Sequence, residues 1–273
     1  MIRRLIHFYV FSNIHISLAA ALFVLSSFAV FEKSINWPYV LFIASGTFII
    51  YGLHRYIALS KIEVDDRSNR HLIFNNSRSL ILVLSGIAML IATSSYWFLP
   101  LYLKKTLLLP IIISIAYVIP SFQNKRLRDL PYLKILLIAV VWSLFYILPV
   151  LNSNSQTPFV FFEKFLFILG LTIPFDIRDQ KVDAQTGLKT LGNSIKTQSA
   201  LNLSFLLLFL SSLIVLFLYR SNIYQLSDAL LIVFNNLIAL GLISQCRGKS
   251  DIYFLALLDG IILTQGLFLI LIN

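Results

Sequence analysis

Nine apolar stretches divide this chain, near residues 8–31, 38–59, 79–99, 106–121, 132–151, 158–177, 199–219, 225–244 and 252–272. All but the fourth reach the roughly 20 residues an α-helix needs to cross about 30 Å of hydrocarbon. Backbone polar groups in lipid must be satisfied within the segment, so runs of this length predict membrane-spanning helices. The fourth is shorter and carries Pro110 and Pro120, which leaves its ends open and predicts a broken or tilted helix. With 58% hydrophobic and 12% charged residues among 273, and a mean hydropathy of +0.85, a soluble globular protein is excluded. The fold class expected is all-α, a single polytopic membrane domain over residues 1–273.

The basic residues are unevenly divided between the connections. With the N-terminus in the cytoplasm, sixteen Lys and Arg fall on inner segments and four, Lys33, Lys104, Lys105 and Arg220, on outer ones. That bias predicts a cytoplasmic N-terminus and an external C-terminus, in a bacterial inner membrane. It also accounts for the net charge of +10 without nucleic acid, since lipid headgroups and anionic substrates are the simpler partners. Arg3 and Arg4 precede an apolar run too long for a cleaved signal core, so the first span reads as a retained helix. The lone Cys246 has no disulfide partner and no metal-ligand spacing. The inner connections at 55–78 and 176–198 are long and polar, which locates function on that face.

The second of these holds the most informative local pattern. Asp176, Asp179 and Asp183 follow one another at i, i+3 and i+7, which puts three carboxylates on one helical face. Like charges stacked at a membrane rim are costly unless a cation sits among them. Hard oxygen ligands of this kind suit Mg2+, completed by water and a substrate phosphate, so the pattern points to a diphosphate as well as a metal. The plainer reading is an acidic helix start favoured by the helix dipole. Pro174 predicts a break just before the cluster, with a shorter helix beginning over the pocket, and Gly187 fits a helix end. Glu163 and Lys164 read as snorkelling at the outer interface. Asp259 is either functional or held by a structural partner such as Lys134 or a hydroxyl. Glu63, Asp65 and Asp66 read first as a solvated loop.

The run Asp179-x-x-x-Asp183-x-x-x-Gly187-x-x-Thr190-Leu191, after a sixth span and before a seventh, resembles the second aspartate motif of the UbiA superfamily of intramembrane prenyltransferases. Tyr117 with the pair Lys125 and Arg126 resembles that family's Tyr and basic residues after the fourth helix. The resemblance implies nine helices around a central cavity with cytoplasmic capping loops. It also implies transfer of a polyprenyl group from its diphosphate to an aromatic or other lipophilic acceptor, assisted by Mg2+. On that basis Asp179 and Asp183, with Asp176, are the expected metal ligands. Lys125, Arg126, Tyr117, His54 and Lys189 are the expected substrate-binding residues. The first motif departs from the family: Gly52 stands where Asn is expected, and His54 and Arg55 where acids are expected. Arg55 then either binds diphosphate in place of one metal ion or marks a non-catalytic relative that binds or moves a lipid or anionic amphiphile. An ion-coupled transporter is the weaker reading, because the ionisable residues gather at one face.

Overall fold

A computed structural model of the chain describes residues 2–59, 77–120, 126–151, 157–185 and 187–273. Among the described residues eleven α-helices run in order: α1 (Ile2–Phe11), α2 (Ile14–Val30), α3 (Trp37–Leu59), α4 (Arg78–Phe98), α5 (Leu101–Val118), α6 (Leu133–Ile147), α7 (Thr157–Gln185), α8 (Leu191–Ser194), α9 (Thr197–Arg220), α10 (Leu226–Ser244) and α11 (Asp259–Ile272). Short 3-10 turns at Leu127–Asp129 and Leu148–Val150 flank α6, and a π-helical stretch, Tyr253–Leu258, leads into α11. Eight helices among the described residues are long and apolar enough to cross a membrane, and the bent pair α1 and α2 together reaches the same length and composition, as a broken span or a re-entrant loop. The chain is an all-α polytopic membrane protein.

Three boundaries differ from the sequence reading. The first span is not one helix. Asn13 takes a left-handed φ of 73° and the chain turns by 61° between α1 and α2. An Asn tolerates that conformation better than the β-branched and aromatic residues around it. The fourth span starts earlier, at Leu101, and runs unbroken through Pro110. Lys104 is thereby within the helix, donating to Trp97 O at 2.8 Å and lying beside the Tyr96 and Trp97 rings.

The third difference shapes the site. α7 continues through Pro174, so no new helix begins at the acids. Proline lacks the N–H that would bond the carbonyl four residues back, which is Gly170 O. Ser204 Oγ of α9 donates to that carbonyl instead. Gly170 permits the approach, since a Cβ there would stand 3.0 Å from Leu208 Cγ. The neighbouring helix thus satisfies what proline removes, as membrane interiors require.

Around the bundle, α3, α2, α11, α10, α9, α7 and α6 pack in sequence. α2 and α11 are pressed backbone to backbone at Gly266, where a Cβ would meet Leu22 C at 2.6 Å. Glu163 and Lys164 do not snorkel: both are fully buried and paired at 2.9 Å. Tyr224 donates to Glu163 at 3.2 Å, and Lys164 donates to Gln265 at 3.3 Å and lies over the Tyr146 ring, so the pair ties α6, α7 and α11 together.

Candidate functional site

The unbroken α7 delivers Asp176, Asp179 and Asp183 to one side of the bundle end. Their common neighbour is Lys134, in the first turn of α6, whose Nζ lies 2.7 Å from Asp183 Oδ2, 3.1 Å from Asp176 Oδ1 and 3.7 Å from Asp179 Oδ2. Lys134, Asp176 and Asp183 are buried. Arg178 also closes on Asp179, with its Nε 2.8 Å from Oδ1 and its Nη2 3.1 Å from Oδ2. The Arg178 guanidinium lies beside the Phe175 and Phe254 rings, 5.1 Å and 5.3 Å from their centroids.

Local geometry fixes these groups. Gly187, at a φ of 70°, ends α7 as the sequence suggests: its N–H donates to Ala184 O and the Leu188 N–H donates to Asp183 O at 2.9 Å. The chain then folds back so that the Gly192 N–H donates to Asp176 Oδ2 at 2.9 Å. Asp176, peripheral in the sequence motif, is the most buried of the three acids, at 1% exposure. Tyr132, left-handed at a φ of 63°, donates its N–H to Lys189 O at 3.1 Å and so ties the start of α6 to the segment after α7.

α3 supplies another wall. Tyr51, His54 and Arg55 line the cavity, whereas a Cβ at Gly52 would face Asn13 Nδ2 at 3.7 Å and Ser85 Oγ at 3.9 Å. Gly52, which stands where the family resemblance expects Asn, therefore faces Asn13 and Ser85 and not the cavity. Arg55 donates to Phe11 O at the end of α1, and Arg128 is hydrogen-bonded to His54 Nε2. The Arg128 guanidinium also lies 5.1 Å from the Tyr117 ring centroid. Burial works against the charge of Arg128, but Tyr117 and the carboxylates of Asp183 and Asp179 outweigh it and raise its pKa above the ordinary value. Arg128 is a fixed cation.

Arg126 lines the cavity but is committed locally, its Nε and Nη2 forking onto Asp129 at 2.9 and 2.8 Å. Burial raises the Asp129 pKa, yet the hydrogen bonds from Arg126 prevail and hold it below the usual carboxylate value. Lys189 is exposed, away from the cavity lining. Lys125, Glu63, Asp65 and Asp66 lie outside the described residues. Three cations that the sequence motif did not single out, Arg128, Lys134 and Arg178, do line it. Lys134 carried a signal, being an ionisable residue inside an apolar span.

The three acids, Lys134, Arg178, Arg126, Arg128, Tyr117 and the α3 residues Tyr51, His54 and Arg55 open into one cavity of about 600 Å³ between α3, α5, α6 and α7. Arg55, Asp179 and Asp183 all line it. Its other surfaces are aliphatic and aromatic, including Phe42, Ile111, Ile138, Val141 and Phe145. Asp259, placed by the π-helical turn, also faces it, and its cationic neighbours are Arg178 and Arg55, not Lys134. Among the described residues, no group of three or more His, Cys, Asp or Glu is placed to hold a metal ion. The three α7 carboxylates gather on an ammonium.

No family model matches the sequence, and no curated protein matches it. Solved structures do match in fold. A UbiA homologue from Archaeoglobus fulgidus bound to GPP and Mg2+ superposes with a TM-score of 0.68 at 14% identity, covering 97% of this chain and 99% of that one. An apo UbiA homologue from Aeropyrum pernix K1 gives 0.63 at 12% identity over 93% and 94%. A digeranylgeranylglyceryl phosphate synthase gives 0.59 at 12% identity over 99% of both chains. The chain has the UbiA fold.

Proposed function

We propose that this protein is an intramembrane prenyltransferase whose cavity takes a polyprenyl diphosphate and a lipophilic acceptor. The observation that carries the reading is a single cavity with cations at one end and apolar walls along the rest. Arg128, Lys134, Arg178 and Arg55 face the space a diphosphate would fill, and the aliphatic and aromatic lining suits an isoprenoid tail. A UbiA homologue of this fold is bound to GPP, which supports the same ligand class here. In the reaction the C1–O bond breaks and its electron pair leaves with the diphosphate. The allylic cation is captured by the acceptor, and the proton displaced from the acceptor leaves with the diphosphate. Cations fixed at the leaving group stabilise the charge that grows there. Apolar walls exclude the water that would otherwise quench the cation.

A second reading, binding without transfer, is favoured by His54 and Arg55 at the end of α3, where the family resemblance calls for acids. Purified protein incubated with radiolabelled prenyl diphosphates and a panel of aromatic and lipid acceptors tests both. Transfer is expected, and Arg128→Ala should reduce it by about tenfold or more through the lost charge-assisted contact. Retained binding without product on any acceptor would favour the second reading, and no binding would reject both.

A further inference from the structure

The cation expected among the α7 carboxylates is already present as part of the chain. Mg2+ sits about 2.0–2.1 Å from its oxygen ligands, whereas Lys134 Nζ donates to Asp183 Oδ2 at 2.7 Å, the spacing of an ammonium hydrogen bond, and forms an ion pair with Asp176 Oδ1 at 3.1 Å. A divalent ion bound to the same oxygens would stand against that ammonium. Among the described residues the cavity's charge is also balanced without one, since Lys134, Arg178, Arg128 and Arg55 match Asp176, Asp179, Asp183 and Asp259. The α3 wall gives no compensating acids, presenting Tyr51, His54 and Arg55. Among the described residues the set therefore does not fit the Mg2+ that the fold implies.

We propose that Lys134 is a built-in replacement for the divalent ion, so that a prenyl diphosphate binds here on fixed cations and without Mg2+. An ammonium has three donors. One is donated to Asp183, Asp176 Oδ1 is an ion-pair neighbour at 3.1 Å, and Lys134 also lines the cavity, where a phosphate oxygen can accept from it. Arg128 Nε and Arg178 Nη1 are buried with no hydrogen-bond partner within the protein. Buried donors of this kind are costly unless a ligand or water completes them. Together they form a receptor for an oxyanion carrying several oxygens. The ligand part rests on the prenyltransferase reading; the replacement of the metal by Lys134 does not.

The test uses the full chain, purified in detergent and stripped with EDTA. Calorimetric titration with geranyl S-thiolodiphosphate should give affinities equal within about threefold in EDTA and in Mg2+, while inorganic diphosphate, lacking the tail, should bind at least about tenfold more weakly. Binding that tightens about tenfold or more with Mg2+ would overturn the proposal. Electron paramagnetic resonance with Mn2+ supplies a readout independent of any organic ligand. Wild type should take up no Mn2+ at the triad, whereas Lys134→Ala and Lys134→Met, which remove the ammonium from the carboxylates, should each gain one bound ion. Stoichiometric Mn2+ on wild type would reject the proposal even if neither variant folds. Should geranyl S-thiolodiphosphate fail to bind under any condition while the variants gain Mn2+, the prenyltransferase reading falls and the role of Lys134 stands.

Discussion

At the scale of single residues, two glycines distinguish packing from mere absence of a side chain. A Cβ on Gly192 would stand 2.4 Å from the Asp176 carbonyl oxygen, whereas one on Gly241 in α10 would meet nothing within 4 Å. Gly192→Ala must therefore push α8 off the turn that carries Asp176, breaking the bond from the Gly192 N–H to its carboxylate. Overpacking of this kind costs about 1–3 kcal/mol, and the lost contact to a buried acid adds to it. Gly241→Ala should be neutral or stabilising by up to about 1 kcal/mol through helix propensity. Thermal unfolding in detergent should show a clear fall for the first and none for the second; equal melting temperatures would refute the packing described. The α7 acids were legible in the sequence because their spacing alone places them together. Their partner was not, since Lys134 and Asp183 are 49 positions apart and nothing local relates them.

Elements were legible wherever one physical signal dominated. Apolar length alone located the spans, as it does in lipid. Their ends were read less well, because proline was given the meaning it has in water. Pro174 is accommodated by Ser204, a contact across two helices that no single-helix rule anticipates. A double-mutant cycle tests this account. Ser204→Ala alone leaves Gly170 O buried without a donor and should destabilise by about 1–3 kcal/mol. Pro174→Ala restores the N–H that can reach the same carbonyl, so Ser204→Ala in that background should cost at least about 1 kcal/mol less. Unfolding by denaturing detergent gives the four stabilities, and strictly additive losses would show that Ser204 does not compensate the proline.

For the whole molecule, the segments counted as one side by their basic residues do meet at one end. Tyr132 bonds Lys189, Arg178 pairs with Asp251 at 3.8 Å, Arg247 bonds Gln198, and Arg128 bonds His54. The charged mouth of the cavity lies there, and the excess of Lys and Arg predicts that this end faces the cytoplasm. Cys246 makes a poor probe of that orientation: it is 1% exposed, and burial raises its thiol pKa, so at neutral pH it stays protonated and hidden from a maleimide. The better experiment places new thiols at exposed positions in a Cys246→Ala background. Ser250→Cys lies beside the charged end, and Arg220→Cys lies at the end of α9 on the opposite side. In intact cells a membrane-impermeant maleimide should label Arg220→Cys at once and Ser250→Cys only after permeabilisation. The reverse pattern would turn the cavity mouth outward, away from cytoplasmic diphosphates, and would remove the physical basis for supplying this site with a prenyl diphosphate.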